Sequence, residues 1–346
     1  MSVVCPSFIS RYPVVTMAHG GGGRLMNQLL DEMIHVAFRT TEDSERHDGA
    51  VLETAQERIA FTTDSYVITP LFFPGGDIGE LSIYGTVNDL AMCGAMPRWI
   101  SLGFILEEGL PMLDLQRVVD SIARAAERCG VQVVTGDTKV VERGKADGLY
   151  INTSGIGVLR NNTPFIGPAS IKEGDAVILS GDVGRHGMAV MSVREGLSFS
   201  TTVESDLAPL SGPVDSLIGH GLPVHCMRDL TRGGLASSLN EIASAAGLGI
   251  NLCESKIPVQ EEVLGACEVL GFDPLYVANE GRMVLILPRE AGEEAVSLMR
   301  SFKMCENAAL IGSVVPSGIA PVTVKTSVGT SRVLDMISGD QLPRIC

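Results

Sequence analysis

Residues 85–111 read GTVNDLAMCGAMPRWISLGFILEEGLP, and the change of pattern inside that run decides the fold class. Its first part continues a segment of small residues and predicts a helix over Ile83–Met96, with Gly and Ala positions that allow close packing. Trp99–Leu106 carries apolar and β-forming residues and predicts a strand. In the next segment, Asp114–Cys129, a single helical face holds Leu115, Val118, Val119, Ile122, Ala125 and Ala126. Asp114 can cap that helix and Gly130 can end it. Val131–Val134 then predicts a short β-branched strand that ends in Gly136-Asp137. Helix, strand, helix and strand in sequence make an α/β (α+β) layer, with mixed sheets covered by helices.

Upstream, Arg58–Ile68 (RIAFTTDSYVI) alternates and predicts a strand interrupted by a functional turn. Residues 41–57 are polar and read as a helix or exposed loop. Arg24–Leu30 has helical spacing and follows the glycine run Gly20–Gly23. Downstream, Tyr150–Val158 predicts a strand, and the Pro/Gly-rich passage Asn161–Gly174 reads as an interdomain connection. A second α/β series starts at Ala176–Leu179 and runs to about Val315. The expected organisation is an irregular leader (1–17), an N-terminal domain (18–165), a C-terminal domain (166–320) and a C-terminal segment (321–346). From Ser338 onward, Gly339, Pro343 and the polar residues predict a flexible tail.

The 346 residues suffice for two cores, and 45% hydrophobic against 19% charged residues supports a large interior. A net charge of −15 without a basic stripe excludes nucleic acid as the main partner. Eight scattered cysteines lack any CxxC pair; this suits a reducing cytoplasm and argues against a zinc site. There is no signal-like N-terminus, and no apolar run is long enough to span a membrane.

Four aspartates stand in short polar segments beside apolar ones: Thr63-Asp64-Ser65, Asn88-Asp89-Leu90, Gly136-Asp137-Thr138-Lys139, and Asp229-Leu230-Thr231-Arg232-Gly233-Gly234. A single such aspartate is as often a turn or cap residue. Four with the same surroundings make Asp64, Asp89, Asp137 and Asp229 candidate Mg²⁺ ligands, since short carboxylates hold hard oxygen donors at fixed geometry. Lys139 and Arg232 can neutralise phosphate oxygens that the metal leaves uncovered. The run His19-Gly20-Gly21-Gly22-Gly23 can offer successive backbone N–H groups to a phosphate. It fits neither a Walker loop nor a dinucleotide fingerprint. Gly181–Gly187 (GDVGRHG) reads mainly as a packing turn. Cys346 ends the chain with nothing predicted to hold it. An extended ten-residue tail reaches roughly 33–36 Å, against a radius of gyration of ~20 Å, so it could carry a group between two sites.

These segments, with AHGGGG, TTDSYVITPLFFPGGDIG, VVTGDTKVV, DLTRGG, NEG and the terminal PRIC, resemble the hydrogenase maturation factor HypE family of the aminoimidazole ribonucleotide synthetase (PurM-like) superfamily. The resemblance covers Ala18 to Cys346 and implies a two-domain PurM-like homodimer with ATP between the domains. It implies ATP-dependent dehydration of a carbamoyl group on Cys346 to a thiocyanate, the source of the cyanide ligand for [NiFe]-hydrogenase assembly. Asn88, Thr138 and Thr231 join Gly20–Gly23 and the four aspartates as nucleotide-site candidates, with Lys139 as the phosphate cation. Glu280, in Asn279-Glu280-Gly281, is the candidate base for the nitrogen proton, and His19 is the second choice. The implied partners are a HypF-like carbamoyltransferase and a HypC–HypD-like iron scaffold complex. Two other readings stand beside this one: a PurM-like ATP-dependent synthetase acting on a free small molecule, and a non-catalytic thiol carrier.

Overall fold

The computed structural model describes residues 16–19, 21, 23–34, 48–54, 57–161, 163–196, 202–318, 321–336 and 345–346. Two sheets, each with its own core, make up most of it. The first has the order β1-β2-β7-β5-β6: Ala50–Glu53, Arg58–Tyr66, Leu149–Leu159, Ala95–Glu107 and Gln132–Val141. Only the β5/β6 pair is parallel. A two-stranded ribbon, β3 (Phe72–Phe73) and β4 (Gly76–Asp77), leads into the helices.

After the short α1 (Arg24–Leu29), helices α2 (Ile78–Met92) and α3 (Met112–Cys129) cover one face of this sheet. The other face stays open, which is why β7 alternates buried and more exposed positions along its length. Helix α2 starts five residues before the expected Ile83, because Asp77 caps it: Oδ1 accepts from Gly79 N (2.7 Å) and Glu80 N (3.1 Å). Helix α3 ends as expected at Gly130, which takes the left-handed conformation at φ +65°. Val118, Ile122, Ala125 and Ala126 of α3 are buried, whereas Val119 is 43% exposed.

Strand β2 runs without the interruption read from its polar centre, and β6 passes straight through Gly136-Asp137. Asp64 and Asp137 are therefore mid-strand residues, and Asp89 lies in a helix. Of the four aspartates, Asp229 alone ends a strand. In the stretch read as a polar helix or loop, Ala50–Glu53 pairs with β2 as an edge strand.

The second sheet has the order β14-β13-β10-β12-β8-β11-β9: Ser331–Val333, Val322–Lys325, Gly249–Cys253, Ala309–Val315, Ala176–Leu179, Met283–Leu287 and Cys226–Asp229. Here α6 (Gly234–Ala246) packs on one face. Helices α5 (Ser211–Gly219) and α8 (Gly292–Arg300) pack on the other. Burial on both faces explains the continuous apolar runs of β8 and β11. Helices α4 (Arg185–Arg194) and α7 (Glu261–Leu270) form a smaller cluster at the side. Val322 and Val324 point inward, so residues 322–333 belong to this sheet and do not form a segment apart.

The two halves are tied together by side-chain and backbone hydrogen bonds. Asn88 Oδ1 accepts from Leu210 N (2.7 Å), and its Nδ2 donates to Ala208 O (3.1 Å) and Glu280 O (3.4 Å). Arg194 donates to Thr69 O, and Ser205 N to Pro74 O. The chain end contradicts the expectation of a free tail at its last two residues. Ile345 is 3% exposed, inside the first core with Tyr66, Ile68, Val190 and Ala278. Cys346 O accepts from Val67 N at 3.0 Å. An isoleucine side chain recovers about 1.5–3 kcal/mol on full burial, a stabilisation that the polarity of the preceding residues conceals.

Candidate functional site

Asp48, Asp89 and Asp229 converge where the two halves meet, with ligand-capable atoms all within 4.8 Å of one another. Asp48 precedes β1, Asp89 projects from α2, and Asp229 ends β9. Each is anchored. Thr62 Oγ1 lies 2.9 Å from both Asp89 Oδ2 and Asp48 O, which share its one hydrogen. Arg228 Nε pairs with Asp48 Oδ1, while Arg228 Nη2 reaches Glu241 (2.7 Å). After β9 the chain turns through Gly233 and Gly234, both at positive φ, and a Cβ on Gly234 would sit 2.6 Å from Val277 O.

Burial and mutual repulsion both act on these gathered carboxylates, and both favour their protonated forms. Burial, then the charges of Asp229, Asp48 and Asp64, push Asp89 well above the usual carboxylate range. Burial and Asp48 push Asp229 up to about 8, and burial pushes Asp48 up to about 6 against the opposing pull of Arg228. Asp64 is raised by burial and lowered by Arg232. It feels the same field without belonging to the close trio.

Glu280 is 3% exposed, and its Oε1 is buried with no hydrogen-bond partner. Burial and the charges of Asp229, Asp64 and Asp206 raise it well above the usual range, opposed by Arg232. It is set on a tight backbone: a Cβ at Gly281 would run into Asp206 O, and Gly281 N donates to Asp206 Oδ2 (3.0 Å). Cys346 lies in this same field. Burial first, then Glu280, pushes its thiol up to about 12, with Arg232 pulling the other way and Asp64 and Asp229 adding to the rise. The docked thiol is therefore protonated at neutral pH.

The residues singled out from sequence separate into groups. Asp64, Asp89, Asp229, Arg232, Glu280 and Cys346 share one electrostatic environment. Thr231 Oγ1 faces Asp229 Oδ1 at 3.4 Å. Asp137 and Lys139 lie elsewhere in this chain, paired with each other on the exposed edge strand β6 (2.6 Å). Thr138 lies between them on that same exposed strand. Asn88, read as a nucleotide contact, spends its amide on three backbone groups across the domain junction. His19 is buried, and its Nδ1 bonds Thr16 N and Oγ1 within its own turn. Gly21 and Gly23 precede α1, which reaches Asp335 through Arg24 and Met336 through Asn27. Gly20 and Gly22, the leader up to 15, residues 41–47 and residues 337–344 lie outside the described residues.

Asp48 escapes the sequence reading. Its signal is the pair Asp48-Gly49 just before Ala50–Glu53, hidden in a stretch whose charge suggests only solvent exposure.

Models of the AIR synthase related protein N-terminal and C-terminal domains match residues 46–159 and 172–325. The chain is 48% identical over 332 residues to the carbamoyl dehydratase HypE of Azotobacter vinelandii, covering 96% of this chain and 97% of that protein. The chain belongs to the HypE family. Two solved HypE structures superpose on it. A HypE–HypF complex matches with a TM-score of 0.84 at 46% identity, covering 89% of this chain and 99% of the other. The hydrogenase maturation protein HypE in complex with ATP gives 0.81 at 44%, covering 96% and 100%. The two-domain, mixed α/β architecture is the PurM-like one of that family. Among the described residues, no helix is long and apolar enough to cross a membrane.

Proposed function

We propose that this HypE-family chain uses ATP to dehydrate a carbamoyl group carried on its own Cys346, producing a thiocyanate that supplies cyanide for [NiFe]-hydrogenase assembly. One observation carries the reading: Cys346 is docked in the field of Glu280, Arg232, Asp64 and Asp229, and Asp229 in turn belongs to an acidic trio drawn from both domains. A purely passive carrier has no use for such surroundings. The ATP complex of a close relative and the carbamoyl dehydratase name of another support it.

The trio fits a divalent cation. Three hard oxygen donors within 4.8 Å, each raised by burial or by its neighbours, describe a site short of positive charge. Asp48, Asp89 and Asp229 would hold Mg²⁺, with Asp64 adjacent. Bound there, the cation supplies neutralisation for a transferred phosphoryl group.

The chain's own groups do the remainder. Docking of Ile345 and Cys346 fixes the thioester-like Cys346–S–C(O)NH₂ in place. Its oxygen attacks the γ-phosphorus of ATP, ADP leaves, and a nitrogen proton passes to a base. Breaking the C–O bond then expels phosphate, the second nitrogen proton departs, and Cys346–S–C≡N remains. Glu280 is the base: its Oε1 has no competing partner, and a raised carboxyl is a stronger base in its ionised form. Arg232 favours that ionised form. The His19–Gly23 loop is the proposed phosphate cover.

The open face of the first sheet, with Phe61, Trp99 and Ile105 each more than 40% exposed, supports a homodimer. Asp137 and Lys139 stand on the edge strand of that sheet, so in a dimer Lys139 could serve a nucleotide from the interface. A HypF-like carbamoyltransferase and a HypC–HypD-like iron scaffold are the proposed donor and acceptor, and the cytoplasm the proposed compartment. The test is to carbamoylate Cys346, add MgATP and follow the C-terminal peptide by mass. Loss of one water, dependent on ATP, is expected; a carbamoyl group that persists overturns the reading.

A further inference from the structure

We propose that His186 is the latch of the C-terminal dipeptide, a positioning residue that sets how much of the time Cys346 lies in the site rather than within reach of an external partner. This rests on the reading of Cys346 as a carrier.

His186 belongs to the first turn of α4, in the glycine-rich segment 181–187 whose sequence reads mainly as packing. The ring is fully buried, and both of its nitrogens are used. Nε2 lies 2.5 Å from Ile345 O, and Nδ1 lies 2.9 Å from Ser205 Oγ. A carbonyl can only accept, so Nε2 carries the proton and donates to Ile345. Nδ1 is then the acceptor and must receive the Ser205 hydroxyl hydrogen. Ser205 Oγ in turn accepts from Leu207 N (3.1 Å). The result is a one-way series, Leu207 N–H to Ser205 Oγ–H to His186 Nδ1, with Nε2–H aimed at the chain end.

The ring is held rigidly in that pose. Its backbone N–H donates to Asp206 Oδ1 (3.1 Å), and Phe73 of the first domain meets it edge-on at 5.3 Å. Burial holds the imidazole below its usual range, which agrees with the single-proton form required here. Among the described residues, two further attachments hold the dipeptide, Val67 N to Cys346 O and the buried side chain of Ile345. Of the polar attachments to the dipeptide, His186 supplies the side chain. Deleting that donor leaves the carbonyl of Ile345 buried without it, a loss that favours the undocked chain end about ten- to a hundredfold.

The experiment measures native-state alkylation of Cys346 by iodoacetamide in the full chain, with each site read by peptide mass. Cys253, half-buried as Cys346 is and remote from it in sequence, is the internal reference. We expect His186→Leu to speed Cys346 alkylation at least about tenfold relative to Cys253. His186→Gln, whose amide N–H can take the place of Nε2–H, should return the rate to within about threefold of wild type. A wild-type rate in a His186→Leu protein with an unchanged melting temperature overturns the latch, as does a Gln variant no slower than the Leu variant. If His186→Leu does not fold, Ser205→Ala serves, since it removes the hydroxyl that fixes the tautomer. An unaltered alkylation rate there overturns the proposal equally. Neither carbamoyl nor ATP is needed for this readout. Wild-type carbamoylated protein that never loses water would therefore refute the dehydration and leave the latch result standing.

Discussion

Replacing Asn88 with alanine should loosen the junction between the two domains and leave the nucleotide site chemically intact. The side chain makes two well-placed bonds to buried backbone, from Leu210 N at 2.7 Å and to Ala208 O at 3.1 Å, and a long one to Glu280 O at 3.4 Å. Counting the two good bonds at about 1–1.5 kcal/mol each, and the third as little, gives a loss of about 2–3 kcal/mol. That is a large share of the roughly 5–15 kcal/mol by which domains are stable. At about 2–4 °C per kcal/mol for domains of this size, calorimetry should show a drop of roughly 4–12 °C. Asn88→Asp should be worse, because it turns a carboxylate oxygen toward two carbonyls. ATP affinity, measured by titration calorimetry well below the transition, should change less than about threefold in Asn88→Ala. An unchanged melting temperature with a tenfold loss of ATP affinity would refute this assignment and return Asn88 to the ligand.

Glu280→Gln should still bind MgATP while carbamoylated Cys346 persists or stalls as a phosphorylated adduct; conversion at the wild-type rate, followed by peptide mass, would remove Glu280 as base. Cys346→Ala should melt within about 1 °C of wild type yet fail to support hydrogenase maturation in cells, whereas Ile345→Ala should cost about 2–4 kcal/mol in denaturant unfolding, because Ile345 is the residue that fills the core. With chelator present, Asp229→Asn should gain stability over wild type as pH rises from about 5 to about 8. The raised carboxyls of Asp229 and Asp48 make the folded state hold more protons than the unfolded one in that window, so their ionisation destabilises it. Millimolar Mg²⁺ should cancel the gain, and a pH-independent difference in melting temperature would count against the acidic trio as a cation site. Trp99→Glu on the open sheet face should shift sedimentation from dimer to monomer, and an unshifted coefficient would move the dimer contact elsewhere.

Elements with a strong period are legible from the residues alone. Helix α3 and strand β8 lie where their patterns put them, because one-sided or complete burial writes itself into the order of apolar residues. The start of helix α2 is not legible in the same way, since the helix is buried almost all round and carries no polar face to mark its bounds. The site is legible in part. Asp89 and Asp229 stand out by their neighbours, but Asp48 does not, because its partners are 41 and 181 positions away and only the fold brings them together. Asp137 looks equivalent to them by local pattern, yet strand β6 carries it to the exposed edge. The docking of residues 345–346 is invisible in the sequence, since two residues carry no period and their partners, Val67 and His186, lie in different domains.

On the proposed reading, the seating of the last two residues by bonds to their own polypeptide would make the central chemical step unimolecular in the carbamoyl group. A group borne on Cys346 has an effective molarity in place of a concentration. Dilution would slow its loading and its final delivery, which are encounters between molecules, and would leave the intervening step untouched. Titration with ATP would trace a hyperbola, while no Michaelis constant would exist for the carbamoyl group at all. Each chain would process one equivalent per visit from its donor, so a single loading would yield at most one thiocyanate per chain.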